Sequence, residues 1–515
     1  MKKRINRRQF VQASAGAAAA ASLLPSLNVV GQSRANGAGA SQDETAWPEN
    51  GALIPDTGWR LWVDREAQWK QDVIYLPDEV TQHADGVVRG KGEPLPVNPP
   101  TGGWAVLAAG GKAEHEGMGV VLPSTVEQHY WGKFGERPYT PQEYRYAATN
   151  PPTPSSDDSV PQNGAYFGVS WWWREIDIPA SMQGKRIFLH VRGAHLRAEV
   201  YLNEKLVGYS IMEELPFEAE LTHAARPGGR NVLAIRITNP FGRFDWVDGL
   251  NEQWGAVKIY RSHGFGGLDR GMTISAHNGA RIKNVWVLNT PEPRRATAYI
   301  QLDSLGPISG GQLALEIVDR ATGKVLFTQN GTFYNIDDRG IATDPAIRAE
   351  YEREQSHPSP TVTTQTTDFS FQAAQLWDLE SPKLYDLRIR FTSGDVSDIR
   401  TIAFGFRSFG VDGLGTSALF RLNGRRMKIY TAISWGYWGI NGMWPTPELA
   451  VKEVTQAKKL NLTCLNFHRN LAKEEVLRAH DRLGLLRYME PGAGKMAIGM
   501  LPAGVTGSAN SVVME

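Results

Sequence analysis

The sequence predicts a mainly β, multidomain chain whose last part switches to a parallel α/β arrangement, and three observations predict it. The chain has 515 residues, and at roughly 100–200 residues per domain that length implies three or four domains. It carries 53 Gly, 30 Pro and 10% aromatic residues, a usage that favours short strands and turns over a helical bundle. Near residue 427 the apolar period changes from two to helical spacing. Lys plus Arg number 55 against 54 Asp plus Glu, which argues against a nucleic-acid binder of the basic-patch kind. A single cysteine, Cys464, excludes an intrachain disulfide and any cysteine cluster for zinc or iron–sulfur.

Residues 1–40 read as an export signal. They hold six basic residues and no acidic one. Lys2, Lys3, Arg4, Arg7 and Arg8 precede an Ala-rich apolar stretch over 11–30, with small residues at Ala38, Gly39 and Ala40. The run Arg7-Arg8-Gln9-Phe10 is that of a twin-arginine signal, so a periplasmic or secreted location is expected. An uncleaved membrane anchor is the competing reading, and cleavage after Ala35 or Ala40 stays open. Without 1–40, 49 basic and 54 acidic residues remain, a net of −5 in place of +1. No later segment is apolar for long enough to span a bilayer.

From 45 to 410 the chain is strand country. Residues 45–115 are loosely organised around Trp47, Trp59, Trp62, Trp69 and Trp104. Over 186–201, Ile187, Leu189 and Val191 point one way while Phe188 and His190 point the other. Ala198, Val200 and Leu202 continue as a strand into an Asn203-Glu204 turn, and 232–237 is another period-2 run. That is antiparallel sandwich patterning. A second block places strands at 296–302, 312–318, 324–328, 361–373, 384–391 and 401–408. Its roughly 115 residues suit an immunoglobulin-like β-sandwich. The polar segment 335–360 reads as a long loop.

After Leu422-Asn423-Gly424 the pattern turns over. A short strand is expected at 427–430, followed by a loop crowded with Trp435, Tyr437, Trp438 and Trp444. Pro447 opens a helix that Thr446 is able to cap, with Ala450, Val454, Ala457 and Leu460 at helical spacing. A strand at 463–467, a helix over 472–483 ended by Gly484, and a strand at 485–489 complete the run. Alternation of this kind implies parallel pairing through right-handed crossovers. In a (β/α)8 barrel the strand ends, here placed at Thr431, His468 and Glu490, form the catalytic face. A barrel needs about 250 residues, and 89 remain from Met427 onward. The expectation is therefore an incomplete barrel, the front part of a longer enzyme.

The order of these parts resembles the family 2 glycoside hydrolases, which include beta-galactosidases, beta-glucuronidases and beta-mannosidases. The resemblance spans 116–495. It is carried by Val121-Leu122-Pro123-Ser124, by Trp171-Trp172-Trp173-Arg174-Glu175 and by Ala198-Glu199-Val200-Tyr201-Leu202-Asn203, which is similar to a "VxLNG" hairpin. Gly266-Gly267-Leu268 is similar to a "GGI" turn, and 377–385 (WDLESPKLY) resembles a "W-x-x-x-x-P-x-LY" segment. Gly405-Phe406-Arg407 and Leu422-Asn423-Gly424 are similar to the family's linker into its barrel. The domain order it implies is a signal peptide at 1–40 and an N-terminal extension plus sugar-binding-like jelly roll at 41–292. An immunoglobulin-like sandwich at 293–410, a linker at 411–426 and the first barrel strands at 427–515 follow.

The resemblance also implies retaining hydrolysis of terminal β-glycosidic bonds, beta-galactosidase-like by preference, with both catalytic carboxylates expected beyond residue 515. Where the family commonly has Arg-Thr-x-His at the end of its second barrel strand, this chain has Leu465-Asn466-Phe467-His468 and keeps only the His. Five residues are candidates for sugar binding. His468 and Asn466 could hydrogen-bond a hydroxyl, Glu490 could accept a hydroxyl proton or brace the mouth, and Trp435 and Trp438 could stack on a pyranose ring. Each has a plain structural alternative in packing or salt bridging. Asp245 and Asp248 are a looser match to a first-domain loop that reaches the sugar in some relatives. Trp171, Trp172 and Trp173 read as sandwich core and rim, and Cys464 as a buried small hydrophobe.

No cofactor is evident in the sequence. Residues 264–267 lack the following helix of a phosphate cradle, and Mg²⁺ or Na⁺ enters only as the family's possible metal in a complete enzyme. The partner expected is a carbohydrate, with no nucleic acid and no integral membrane segment after signal removal, and oligomeric state is not readable. The rival readings are a non-catalytic exported carbohydrate-binding protein and a structural or adhesion module of stacked sandwiches.

Overall fold

The computed structural model describes residues 51–69, 72, 97–130, 166, 168–210, 215–239, 251–254, 257–260, 266–304, 311–333, 361–434, 446–467, 472–489, 498–500 and 511–512. All of them belong to the compact unit Thr45–Glu515. The described chain is mainly β.

The first sandwich packs a four-stranded antiparallel sheet on a six-stranded one. The smaller runs Gly51–Leu53, Thr273–His277, Arg186–Val191, Phe217–Glu220. The larger runs Met118–Val120, Trp59–Asp64, Gly168–Asp177, Arg230–Asn239, Arg197–Leu202, Lys205–Ser210. Ile187, Leu189, Val191, Val200, Leu202 and Trp172 meet in the core between them.

Among the described residues, most of each outer face is covered. On the larger sheet Trp171 and Trp173 turn outward, yet both are buried with Trp62 and Tyr201 beneath Leu107 and Ala113, which belong to the loosely patterned N-terminal segment. On the smaller sheet Phe188 and His190 turn outward as their period predicts, but all six residues of Arg186–Val191 are buried. The cover there is the second sandwich, held by charge. Arg186 pairs with Asp303 at 2.8 Å and with Glu220 at 2.9 Å. Arg281 reaches Asp303 at 2.9 Å and lies 3.5 Å above the Phe188 ring. A cation over a ring face gains from the ring quadrupole while leaving its hydrogen bonds free for carboxylates.

The second sandwich pairs Ala280–Asn289, Arg295–Ser304 and Thr361–Ser370 in one sheet. Val325–Phe333, Gly311–Asp319, Tyr385–Ser393 and Val396–Phe404 form the other. Phe369, Phe404, Phe406 and Tyr385 pack edge-on or tilted in its core. The strand Ala280–Asn289 stands ahead of the expected boundary at 292, yet it pairs here. The stretch expected as a linker, 411–426, falls within an antiparallel sheet of Phe409–Asp412, Leu419–Leu422 and Arg425–Met427. Asn423, at a positive φ of 52°, and Gly424 make its tight turn.

Three parallel strands follow: Thr431–Ser434, Cys464–Phe467 and Leu486–Met489. The first begins where it was expected to end, because Met427 is taken by the preceding hairpin. Helix Pro447–Lys459 starts as its sequence predicts, with the Thr446 side chain accepting from the Leu449 N–H at 3.2 Å. Helix Glu474–Leu483 ends at Gly484 in the left-handed conformation, φ 76°. Ala450, Val454, Val476 and Ala479 of the two helices bury Leu465 and Phe467 of the middle strand. The backbone of Ile498–Met500 pairs with Val257–Tyr260 and with Ser511–Val512, so part of the Gly- and Ser-rich tail adds strands to the hairpin Asn251–Trp254/Val257–Tyr260.

A strand-end candidate site

In a strand–helix–strand unit the ligand-facing side is where the parallel strands end and their crossovers begin. The ends are Ser434, Phe467 and Met489. On the face turned from the helices, Asn466 sits in register between Ile433 and Tyr488. Both neighbours are more than half exposed, while Asn466 is half-buried. An amide beside an exposed phenol ring is suited to a sugar hydroxyl, since it offers both a donor and an acceptor. Ser434 is turned away from this role, donating to Glu453 Oε1 of the first crossover helix at 2.6 Å.

Of the sequence candidates, Asn466 alone falls among the described residues. Trp435, His468 and Glu490 directly follow the three strand ends in sequence but lie outside the described residues, as do Trp438, Asp245 and Asp248. Cys464 is buried in the middle strand, and burial pushes its thiol pKa up. Among the described residues no group of three His, Cys, Asp or Glu could hold a metal ion.

The supports of the site were hidden in the sequence. Trp377, which opens the WDLESPKLY segment, donates its indole N–H to the Asp481 carbonyl in the last turn of helix Glu474–Leu483, at 2.6 Å. Lys458 ties the Leu379, Leu483 and Gly484 carbonyls together at 2.5, 2.7 and 3.2 Å. The Leu483 and Gly484 carbonyls would otherwise be orphans at a helix C-terminus, where a cation also meets the negative end of the dipole. Gly484 has two reasons to be glycine, its positive φ and the Leu379 carbonyl oxygen 2.3 Å from where a Cβ would stand.

His480, on the same helix, is fully buried against Phe467, with ring centroids 5.3 Å apart. Burial, with a smaller contribution from Arg487, lowers its pKa from 6.5 to about 4. An unfolded chain takes up this proton near pH 6.5 and the folded one near 4. Stability at this site is therefore complete above pH 6.5 and is lost as pH falls toward 4, by about 3 kcal/mol. His480→Leu is expected to remove that acid-side loss. Thermal melts from pH 7 to 4 check it, and an unchanged acid slope in the variant would refute it.

Known proteins share the mainly β, multidomain character of this fold. The model for "Glycosyl hydrolases family 2" matches residues 328–407. A beta-glucuronidase of Formosa agariphila is 22% identical over 281 residues, covering 53% of this chain and 26% of that protein. A beta-galactosidase of Thermoanaerobacterium thermosulfurigenes is 22% identical over 331 residues, 61% of this chain and 40% of that protein. The crystal structure of a glycosyl hydrolase family 2 member from Bacteroides cellulosilyticus superposes with a TM-score of 0.56 at 16% identity, covering 87% of this chain and 49% of that one. At that identity the likeness is one of fold. The chain spans about a quarter to a half of the length of curated relatives that it matches. The matched segment, the relatives and the fold all point to glycosyl hydrolase family 2 as the family this chain is similar to.

Proposed function

We propose that the whole protein is an exported β-glycosidase that releases terminal sugars with retention of configuration, a galactoside being the first substrate to try and a glucuronide the second. The observation that carries this reading is the family match at 328–407, with relatives named as beta-glucuronidases and beta-galactosidases. The twin-arginine-type leader supports a periplasmic or secreted location. In such a mechanism one carboxylic acid protonates the departing glycosidic oxygen. A second carboxylate about 5–5.5 Å away attacks the anomeric carbon, and water then hydrolyses the glycosyl-enzyme. Neither carboxylate is assigned within residues 1–515. The role proposed for Asn466, His468, Glu490, Trp435 and Trp438 is to seat the sugar by hydroxyl hydrogen bonds and ring stacking.

The test uses the protein isolated from its host, assayed with 4-nitrophenyl β-galactoside and β-glucuronide while NMR follows the first anomer released. Release of the β-anomer first supports the proposal, and the α-anomer first overturns retention. Sugar binding without turnover would favour a non-catalytic carbohydrate-binding protein. A purified protein of residues 41–515 alone is expected to give no turnover, and measurable turnover would place the carboxylates inside this stretch.

A further inference from the structure

Helix Glu474–Leu483 begins without a side-chain cap. Its N-cap is Lys473, whose side chain makes no capping hydrogen bond. Its first turn carries Glu474 and Glu475 instead, and both are met from the first sandwich. Arg192, directly after strand Arg186–Val191, reaches Glu475 at 2.7 Å and Glu474 at 3.1 Å. Arg270, two residues after strand Gly267–Leu268, reaches the same Glu475 oxygen at 3.2 Å. Glu475 and Arg192 are both buried, so the pair works in a medium of low dielectric where charge-assisted hydrogen bonds are strong. Beside them Asp269 is fully buried, its backbone N–H held by the Gly193 carbonyl at 3.0 Å. Gly271, at φ +76°, brings the chain so close over the Arg192 stem that a Cβ would sit 3.1 Å from its Cδ. The two loops of the first sandwich are thus tied to each other and packed closely over Arg192.

The place of contact is what matters. The helix N-terminus stands at the same end of the parallel unit as the strand ends, because the helix follows directly on strand Cys464–Phe467. Only 468–471 and the short lead-in Ala472-Lys473 separate Phe467 from the clamped carboxylates. The other end of the helix is held by the second sandwich through Trp377 and Leu379. We infer that Arg192 and Arg270 are positioning residues of the first sandwich, which act through Glu475 and helix Glu474–Leu483 to hold the strand-end face of the parallel unit in place. The inference goes beyond the proposed glycosidase reading and does not require it.

Hydrogen exchange of the full-length protein, read by mass spectrometry, tests it without any substrate. In Arg192→Met, amides of 464–467 and 474–483 are expected to exchange at least tenfold faster, with 186–191 and 230–239 exchanging as in the parent. Arg192→Lys is expected to restore part of the protection, since an ammonium can hold one carboxylate but not reproduce the planar fork. Parental rates in 464–483 of Arg192→Met would overturn the inference, and so would equal loosening of the first sandwich. If Arg192→Met does not yield folded protein, Glu475→Gln breaks the same pair from the other side. The same local acceleration supports the inference there, and its absence overturns it.

Discussion

Trp377→Ala is expected to lower stability by about 3–5 kcal/mol, the range for emptying a buried tryptophan site. The side chain is almost wholly buried, and the residue holds three partners at once, two of them through its ring. Its indole N–H holds the Asp481 carbonyl, its own carbonyl accepts from Asn423 Nδ2 at 2.9 Å, and the Arg407 guanidinium lies 5.1 Å from its ring centroid. Alanine removes the packing and leaves a helix-terminal carbonyl without its donor. Trp377→Phe keeps most of the volume and loses the N–H, so its cost should be well under half. Calorimetry would show a fall of roughly 10 °C for alanine. A shift within 2 °C would mean that the segment is a surface hairpin and not the joint between the second sandwich and the parallel unit.

The second large effect is expected inside the first sandwich, at Glu199. This carboxylate is fully buried between Arg236 at 2.6 Å and Arg197 at 3.5 Å, with Asn98 donating to it at 2.8 Å. Asp72 completes the cluster, at 2.6 Å from Arg197 and 2.8 Å from Arg236. Burial alone would raise the Glu199 pKa, but the two arginines reverse the sign and hold it below the ordinary carboxylate range. Two cations and two anions balance. Glu199→Gln leaves one buried positive charge uncompensated and should cost about 3–5 kcal/mol. Glu199→Gln combined with Arg236→Met removes charge from both sides and should recover at least half of that loss, since Arg197 and Asp72 still pair. Melting of both single variants, the double variant and the parent checks this, and a double variant as unstable as the sum of its parts would sink the charge-balance argument.

Much of the fold was legible in local patterns. Strand periods marked both sandwiches, and Thr446, Pro447 and Gly484 marked helix ends through capping chemistry that involves only near neighbours in the chain. The strand at Thr431–Ser434 was misplaced because a short apolar run, 427–430, fits a hairpin edge and a parallel strand equally well. Of the candidate sugar contacts, the structure places Asn466 on the open face of the sheet, between Ile433 and Tyr488. Neither the Trp377 joint nor the Arg192–Glu475 pair had a local signal, since arginines and glutamates in strand-rich sequence usually read as solvated faces.

By itself, then, the sequence determined the succession of periods, the caps and turns, the family resemblance and the leader-like first forty residues. The periods, caps and turns depend on interactions between residues a few positions apart. The tertiary structure alone decided which polar faces are buried, since burial depends on what arrives from elsewhere. Arg186 meets Asp303 across 117 positions, Trp377 meets Asp481 across 104, and Arg192 meets Glu475 across 283. At such separations period and propensity carry no information, and charge pairing and close packing choose the partner.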